Sequence, residues 1–239
     1  MSGPECCSNP PNLSSSSGLG SVTQLGGLKA YVSGSAQSKQ AIFLVSDVFG
    51  YESPNLRKLA DKVANAGFYV VVPDFMHGEP YDPDNAEKPI TVWANIHNTD
   101  RGFEDAEPVI AALNSQGITK VGAAGFCWGA KVVVELTKSP HIQAAVLLHP
   151  SSRITLDDMK EVKVPMAILG AEIDKNSPPE LMRQFGEILI SSKVNSFVKI
   201  FPGVAHGWTV RYKAEDEFAV KSAEEAHQDM LDWFLAHIN

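Results

Sequence analysis

The sequence predicts one α/β domain built on a mostly parallel, doubly wound sheet, and three observations predict it. From about residue 40 onward, nearly continuous apolar runs of strand length alternate with helical patterns. Runs without polar alternation suit parallel strands buried on both faces. Strand–helix alternation implies right-handed crossovers in such a sheet. The length of 239 residues suits one large domain, able to bury its core without covalent staples.

The elements follow in chain order. Residues 1–20 are rich in Ser, Gly, Pro and Asn and are expected to form a flexible or loosely draped tail ahead of a domain over 21–239. They contain no apolar core of a secretory signal. Leu28–Val32 reads as an antiparallel strand leading in. Core strands are expected at Ala41–Val45, Tyr69–Val72, Thr119–Ala124, Ala144–Leu148, Pro165–Leu169 and Ser196–Phe201. Helices are expected at Pro54–Ala66, Arg101–Ser115, Gly129–Thr137, Pro179–Ser191 and Ala214–His237. The first has Ser53 as N-cap, Pro54 at its first turn and Gly67 as its stop.

Composition narrows the function. Twenty basic residues against 28 acidic ones give a net charge of −8. With no basic stripe, a nucleic-acid partner is not expected. Three cysteines, Cys6, Cys7 and Cys127, cannot make a secreted disulfide framework, and a free thiol suits a reducing compartment such as the cytoplasm. Cys6 and Cys7 read as plain tail thiols, since no second membrane signal supports acylation. No apolar run reaches transmembrane length. Metal-binding and nucleotide motifs are absent, and neither a metal nor a cofactor is expected.

The motif that carries chemistry is Gly125-Phe126-Cys127-Trp128-Gly129, between an apolar strand and a helix. It has the form of a nucleophile elbow with cysteine in the serine position. The two glycines suit a turn so tight that a Cβ would clash, and a helix amino end favours thiolate. In open sheets ligands bind beyond the carboxyl ends of the strands, where Asp47, Asp74, His77, Cys127, His149, Asp174 and His206 all fall. A thiol nucleophile needs a base and a carboxylate to orient it, and in this architecture they follow in the order nucleophile, acid, histidine. Asp174 and His206 have that order. Glu172 and Asp74 compete for the acid, Asp74 reading better as a structural turn residue. His77 and His149 compete for the base or line the pocket. His227 and His237, on the last helix, read as solvated. The backbone N–H of Trp128 is expected in the oxyanion hole, with that of Val48 as second donor.

These residues, with Asp47-Val48-Phe49-Gly50, Val72-Pro73-Asp74, Gly170-Ala171-Glu172-Ile173-Asp174 and His206-Gly207-Trp208, resemble the dienelactone hydrolase (carboxymethylenebutenolidase) family over about residues 25–238. The amino-terminal and elbow segments look like plant members, some of which carry an endo-1,3;1,4-β-D-glucanase label. The resemblance implies an α/β-hydrolase fold with little or no cap domain, and a Cys127–Asp174–His206 triad. It also implies cleavage of a small ester or lactone through an acyl-cysteine. Bacterial members hold the thiol proton network with a glutamate where this chain has Asp47, and bind a substrate carboxylate with two arginines. Arg211 matches one of them, and the other has no clear counterpart. Phe49, Phe126, Trp128 and Trp208 point to a more aromatic pocket. Two other functions compete: a β-glucan hydrolase, and a non-enzymatic small-molecule receptor on a hydrolase fold. A monomer or homodimer is expected.

Overall fold

Successive residues of a strand point to opposite faces of its sheet, and here both faces are apolar. Ala41, Phe43 and Val45 join one buried cluster and Ile42 and Leu44 the other. The computed structural model describes residues 4–238. Its strands are β1 (Ser21–Leu25), β2 (Leu28–Ser33), β3 (Gln40–Val45), β4 (Tyr69–Pro73), β5 (Lys120–Phe126), β6 (Ala144–Leu148), β7 (Met166–Ile173) and β8 (Ser196–Ala205). Its helices are α1 (Pro54–Asn65), α2 (Ile90–Ile96), α3 (Thr99–Ser115), α4 (Trp128–Thr137), α5 (Leu156–Lys160), α6 (Pro179–Ser191) and α7 (Glu217–His237).

The strands form one sheet in the order β1-β2-β4-β3-β5-β6-β7-β8. β1 and β2 are antiparallel, β2 pairs antiparallel with β4, and the rest are parallel. Helices α1 and α7 cover one face through Leu56, Leu59, Val63, Met230 and Phe234. Helices α3, α4 and α6 cover the other through Val109, Val133, Met182 and Phe185. This is the doubly wound α/β architecture that the alternation predicts. The chain leaves β3 toward β4 and returns on the other side at β5. The crevice between β3 and β5 is therefore the topological switch point, where ligands bind in such sheets. No described helix is long and apolar enough to cross a membrane.

Several elements differ from the sequence expectation. β1, α2 and α5 were not anticipated: β1 is exposed over four of its five residues, and α5 depends on a local capping box between Thr155 and Asp158. α3 starts earlier than expected because the Asn98 side chain accepts from the Arg101 N–H. Ser53 occupies the N-cap position of α1, but its hydroxyl makes no cap bond. β8 runs on to Ala205, past an irregularity in its pairing with β7 at Ala171–Ile173. That extension delivers His206 to the rim.

The segment expected to be a loosely draped tail lies against the domain over its described residues. Ser14 N–H donates to the Glu52 carbonyl at 3.1 Å, and Leu19 N–H to Asp61 Oδ2 at 2.8 Å. Arg57 Nη1 donates to the carbonyls of Ser15 and Ser17 at 2.8 and 3.2 Å. The Arg57 guanidinium is buried between the rings of Tyr31 and Tyr51, at 4.7 and 5.1 Å. Polar side chains held in the body thus fix a segment whose own composition offers no core.

At the elbow, Cα geometry leaves no room for larger residues. A Cβ on Gly129 would meet the carbonyl oxygens of Val45 and Ser46, and one on Gly125 the backbone of Gly129 and Ala130. Overpacking of this kind costs about 1–3 kcal/mol, and more where the obstacle is backbone. Gly129→Ala is expected to lower stability by at least about 2 kcal/mol, read as a shifted urea midpoint. An unchanged midpoint would show that the helix is not pinned against β3.

Candidate active site

Cys127 links β5 to α4 with φ 50° and ψ −107°. A left-handed conformation at a non-glycine residue stores about 1–3 kcal/mol of strain, and the surroundings hold it. Its N–H donates to the Leu148 carbonyl at 3.2 Å and its carbonyl accepts from the Ser151 N–H at 3.1 Å. The sulfur is thereby aimed out of the sheet at the amino end of α4. Trp128, the first residue of α4, carries one of the N–H groups that a helix leaves without an internal partner. The Trp128 indole is pinned by a 2.9 Å bond to the His97 carbonyl.

His206 and Asp174 arrive from β8 and β7. His206 Nδ1 lies 2.7 Å from Asp174 Oδ2, with both side chains buried. Asp174 Oδ1 accepts from the N–H groups of Asn176 and Ser177 at 2.8 and 3.1 Å, so its direction is fixed. Burial, the largest influence, opposes a charge on His206, yet the bond to Asp174, the nearby Cys6 sulfur and the Asp174 charge together outweigh it and the imidazole pKa is raised. Its other nitrogen, Nε2, is buried without a hydrogen-bond partner. A donor atom of His206 and the sulfurs of Cys6 and Cys127 lie within 4.8 Å of one another. Among the described residues this is the group whose spacing would also admit a metal ion. The competing acid, Glu172, instead accepts from the exposed Gly203 N–H at 2.7 Å. Asp74 closes the turn after β4, where the His77 N–H donates to its carbonyl at 3.3 Å.

Asp47 and Arg211 form a second buried unit. Arg211 Nε donates to Asp47 Oδ2 at 2.7 Å, and Asp47 Oδ1 accepts from the Phe49 N–H at 3.0 Å. The guanidinium lies 5.0 Å from the centre of the Phe49 ring. Its Nη1 donates to the carbonyls of Cys6 and Ser8 at 2.9 and 3.2 Å. Here Asp47 is committed to a cation and to its own loop. Arg211 faces the amino-terminal segment, where the resemblance had implied a substrate carboxylate.

The remaining candidates divide. His149, with φ 38°, is buried, its Nε2 2.8 Å from the Thr209 hydroxyl and its ring edge-on to His206 at 5.2 Å. Burial first, then the charge of His206, hold it neutral, well below the ordinary imidazole range. Trp208 meets it edge-on at 5.4 Å and borders an open cleft. Phe126 is core beneath His149. His77 pairs with Asp105 at 2.7 Å in a half-exposed position. Val48 is buried after β3, and its carbonyl accepts from the Tyr81 N–H at 2.8 Å.

His227, expected to be solvated, is buried on α7, with Nε2 donating to the Thr209 carbonyl at 2.8 Å. Thr209 thus ties His149 to α7, a role no motif announces. Cys6 was also missed. It sits buried in a helical turn over Pro4–Cys7, its sulfur 3.1 Å from that of Cys127. The scarcity of cysteine in the chain was the available signal. Complete burial, then the bond to Cys6, push the Cys127 thiol well above its usual range. The bond to Cys127, then that to Cys7, hold Cys6 far below it.

A cleft of about 750 Å³ is bordered by His206, Trp208, Arg211 and Tyr212, with Asn9–Asn12 as its amino-terminal wall. Cys127 itself is fully buried beneath Cys6.

Two predictions follow from buried charge. Removing one member of a buried ion pair costs about 3–5 kcal/mol because the other is stranded. Asp47→Ala should cost that much in urea unfolding, and adding Arg211→Met should recover part of it. Additive losses would show the pair to be uncoupled. His227 is held down to about 4, by burial first, against an ordinary 6.5. Its contribution is therefore present above pH 6.5 and lost as pH falls toward about 4, a loss of about 3 kcal/mol. His227→Gln, which keeps a donor for Thr209, should flatten that acid limb. An unchanged pH–stability profile would contradict it.

Comparison with known proteins agrees with this fold. The sequence profile of the dienelactone hydrolase family matches residues 28–238. A maize protein named endo-1,3;1,4-beta-D-glucanase is 46% identical over 191 residues, covering 77% of this chain and 61% of its own length. The chain thus spans about three fifths of that relative. A mouse carboxymethylenebutenolidase homolog is 33% identical over 230 residues, covering 92% of each chain. The crystal structure of a putative dienelactone hydrolase from Klebsiella pneumoniae superposes with a TM-score of 0.72 at 19% identity, covering 87% of this chain and 92% of the other.

Proposed function

The chain belongs to the dienelactone hydrolase family and is a hydrolase of carboxylic ester or lactone bonds; from that premise we propose that it cleaves small substrates through an acyl intermediate on Cys127. The observation that carries this reading is the buried Asp174–His206 bond, which leaves Nε2 unpartnered beside a thiol on a strained elbow. His206 takes the thiol proton, and Asp174 fixes the ring and supports its charge. The thiolate attacks the substrate carbonyl. The N–H groups of Trp128 and Val48 receive the oxyanion, each such donor being worth roughly 3 kcal/mol. His206 then protonates the leaving alkoxide and later draws a proton from the water that releases the acid.

The substrate enters through the cleft beside His206 and Trp208, and residues near Cys6 give way when it binds. The aromatic and cationic lining of Trp208, Tyr212 and Arg211 suits a compact, flat ester or lactone. The three unbridged cysteines suit a reducing compartment.

The glucanase name of the maize relative supplies a second reading. Glycoside cleavage ordinarily needs two carboxyl groups flanking the bond. Asp47 is held by Arg211 and Asp174 by His206, which favours the ester reading.

Purified protein should hydrolyse activated esters and lactones, with an acyl adduct on Cys127 visible by intact mass after rapid quenching. Cys127→Ala should lower turnover by at least about 10³-fold and abolish the adduct. Ester turnover undiminished in that variant would end the proposal. Release of reducing sugar from β-glucan that survives Cys127→Ala would favour the second reading.

A further inference from the structure

The proposed reaction has no use for Cys6, yet the fold builds a seat for it. Its sulfur is 3.1 Å from Cys127 Sγ across 121 residues of sequence, and both side chains are buried. Its carbonyl is gripped by Arg211 Nη1, which Asp47 in turn immobilises. Further along, the Arg57 and Asp61 side chains fasten residues 15–19 to the body. A ring nitrogen of His206 lies within 4.8 Å of both sulfurs, and its Nε2 is buried without a hydrogen-bond partner. A disulfide bond of about 2.05 Å requires the sulfurs to close by about 1 Å.

We propose that Cys6 is a resolving thiol, which a peroxide links to Cys127 in a reversible disulfide that shuts the reaction centre. The proposal takes Cys127 as the reactive thiol, and so rests on the reading above. The Cys127 thiolate attacks one oxygen of hydrogen peroxide. The O–O bond breaks, leaving Cys127 as sulfenic acid, and the departing hydroxide leaves as water with the thiol's proton. The Cys6 sulfur then attacks the sulfenic sulfur. The S–S bond forms, the S–O bond breaks, and the second hydroxide leaves as water with the Cys6 proton, carried by His206 Nε2. Two thiols are oxidised and one peroxide is reduced to two waters. An external dithiol reverses the link by exchange and is itself oxidised. Without a resolving partner, a sulfenic acid proceeds to sulfinic acid, which ordinary thiols do not reduce. Cys6 would thus spare Cys127 at the cost of temporary closure.

The test uses the full chain as wild type, Cys6→Ser, Cys6→Ala and Cys7→Ser, each checked for an unchanged melting profile. Each is exposed to graded hydrogen peroxide, alkylated, digested and mapped by mass spectrometry. Wild type and Cys7→Ser should yield a peptide joining residue 6 to residue 127, lost on reduction. Both Cys6 variants should lack it and accumulate the Cys127 sulfinate. Ester turnover should fall at least about tenfold in oxidised wild type and return with dithiothreitol, but not return in the Cys6 variants. Sulfinate at Cys127 of wild type without a 6–127 link would overturn the proposal. So would a link to Cys7, equal recovery in the Cys6 variants, or recovery given by a chelator in place of a dithiol. If Cys127→Ala retains ester turnover, the reaction reading fails, while the peptide map still decides on the link.

Discussion

The approach of α4 to the end of β3 is the constraint on which the site depends. Gly129 lies so close to the carbonyl oxygens of Val45 and Ser46 that a methyl group would not fit. This contact sets how sharply the chain turns at Cys127, and so which way the sulfur points. It also places the first free N–H of α4 beside the loop after β3, where Asp47, Val48 and Phe49 begin. The strain at Cys127 is held by bonds to Leu148 and Ser151, on the far side of β5. Sheet pairing on one side and a missing side chain on the other together define the nucleophile's position.

Around that point, charge is organised in two buried pairs with different roles. Asp174 and His206 bond through one ring nitrogen and leave the other toward the thiols. Asp47 accepts from Arg211 Nε, and Arg211 Nη1 donates to the Cys6 and Ser8 carbonyls, while Nη2 is buried without a partner. The first pair is the one that the proposed reaction uses to move protons. The second is a bracket that holds chain in place. Burying an ion pair rarely adds net stability, but it does fix geometry, here of the segment directly above Cys127.

The sheet, its crossover pattern and the order of Cys127, Asp174 and His206 were legible because each rests on local signals: apolar runs, glycines at a tight turn, strand-end polar residues. Short or exposed elements such as β1 and α5 were not, since their apolar pattern is weak and their bonds are local. Three roles that the sequence did not show share one cause. Cys6, Arg211 and His227 take their roles from partners far away in sequence, at Cys127, Asp47 and Thr209. Composition marked residues 1–20 as a flexible or loosely draped tail. It could not reveal that Arg57 and Asp61, placed among the apolar positions of α1, supply the anchorage.

The amino-terminal seat has a practical side for anyone handling the molecule. Cys6, among the first described residues, lies against the Cys127 sulfur, whereas α7 ends near Asn195, just ahead of β8, where His237 Nε2 meets the Asn195 amide at 3.0 Å. That is the opposite edge of the sheet from the rim. Affinity handles, fluorophores or fusion partners joined at the amino end would therefore load the very segment that covers Cys127. The same additions at the carboxyl end would sit a full strand length away and leave the entrance as the chain itself shapes it.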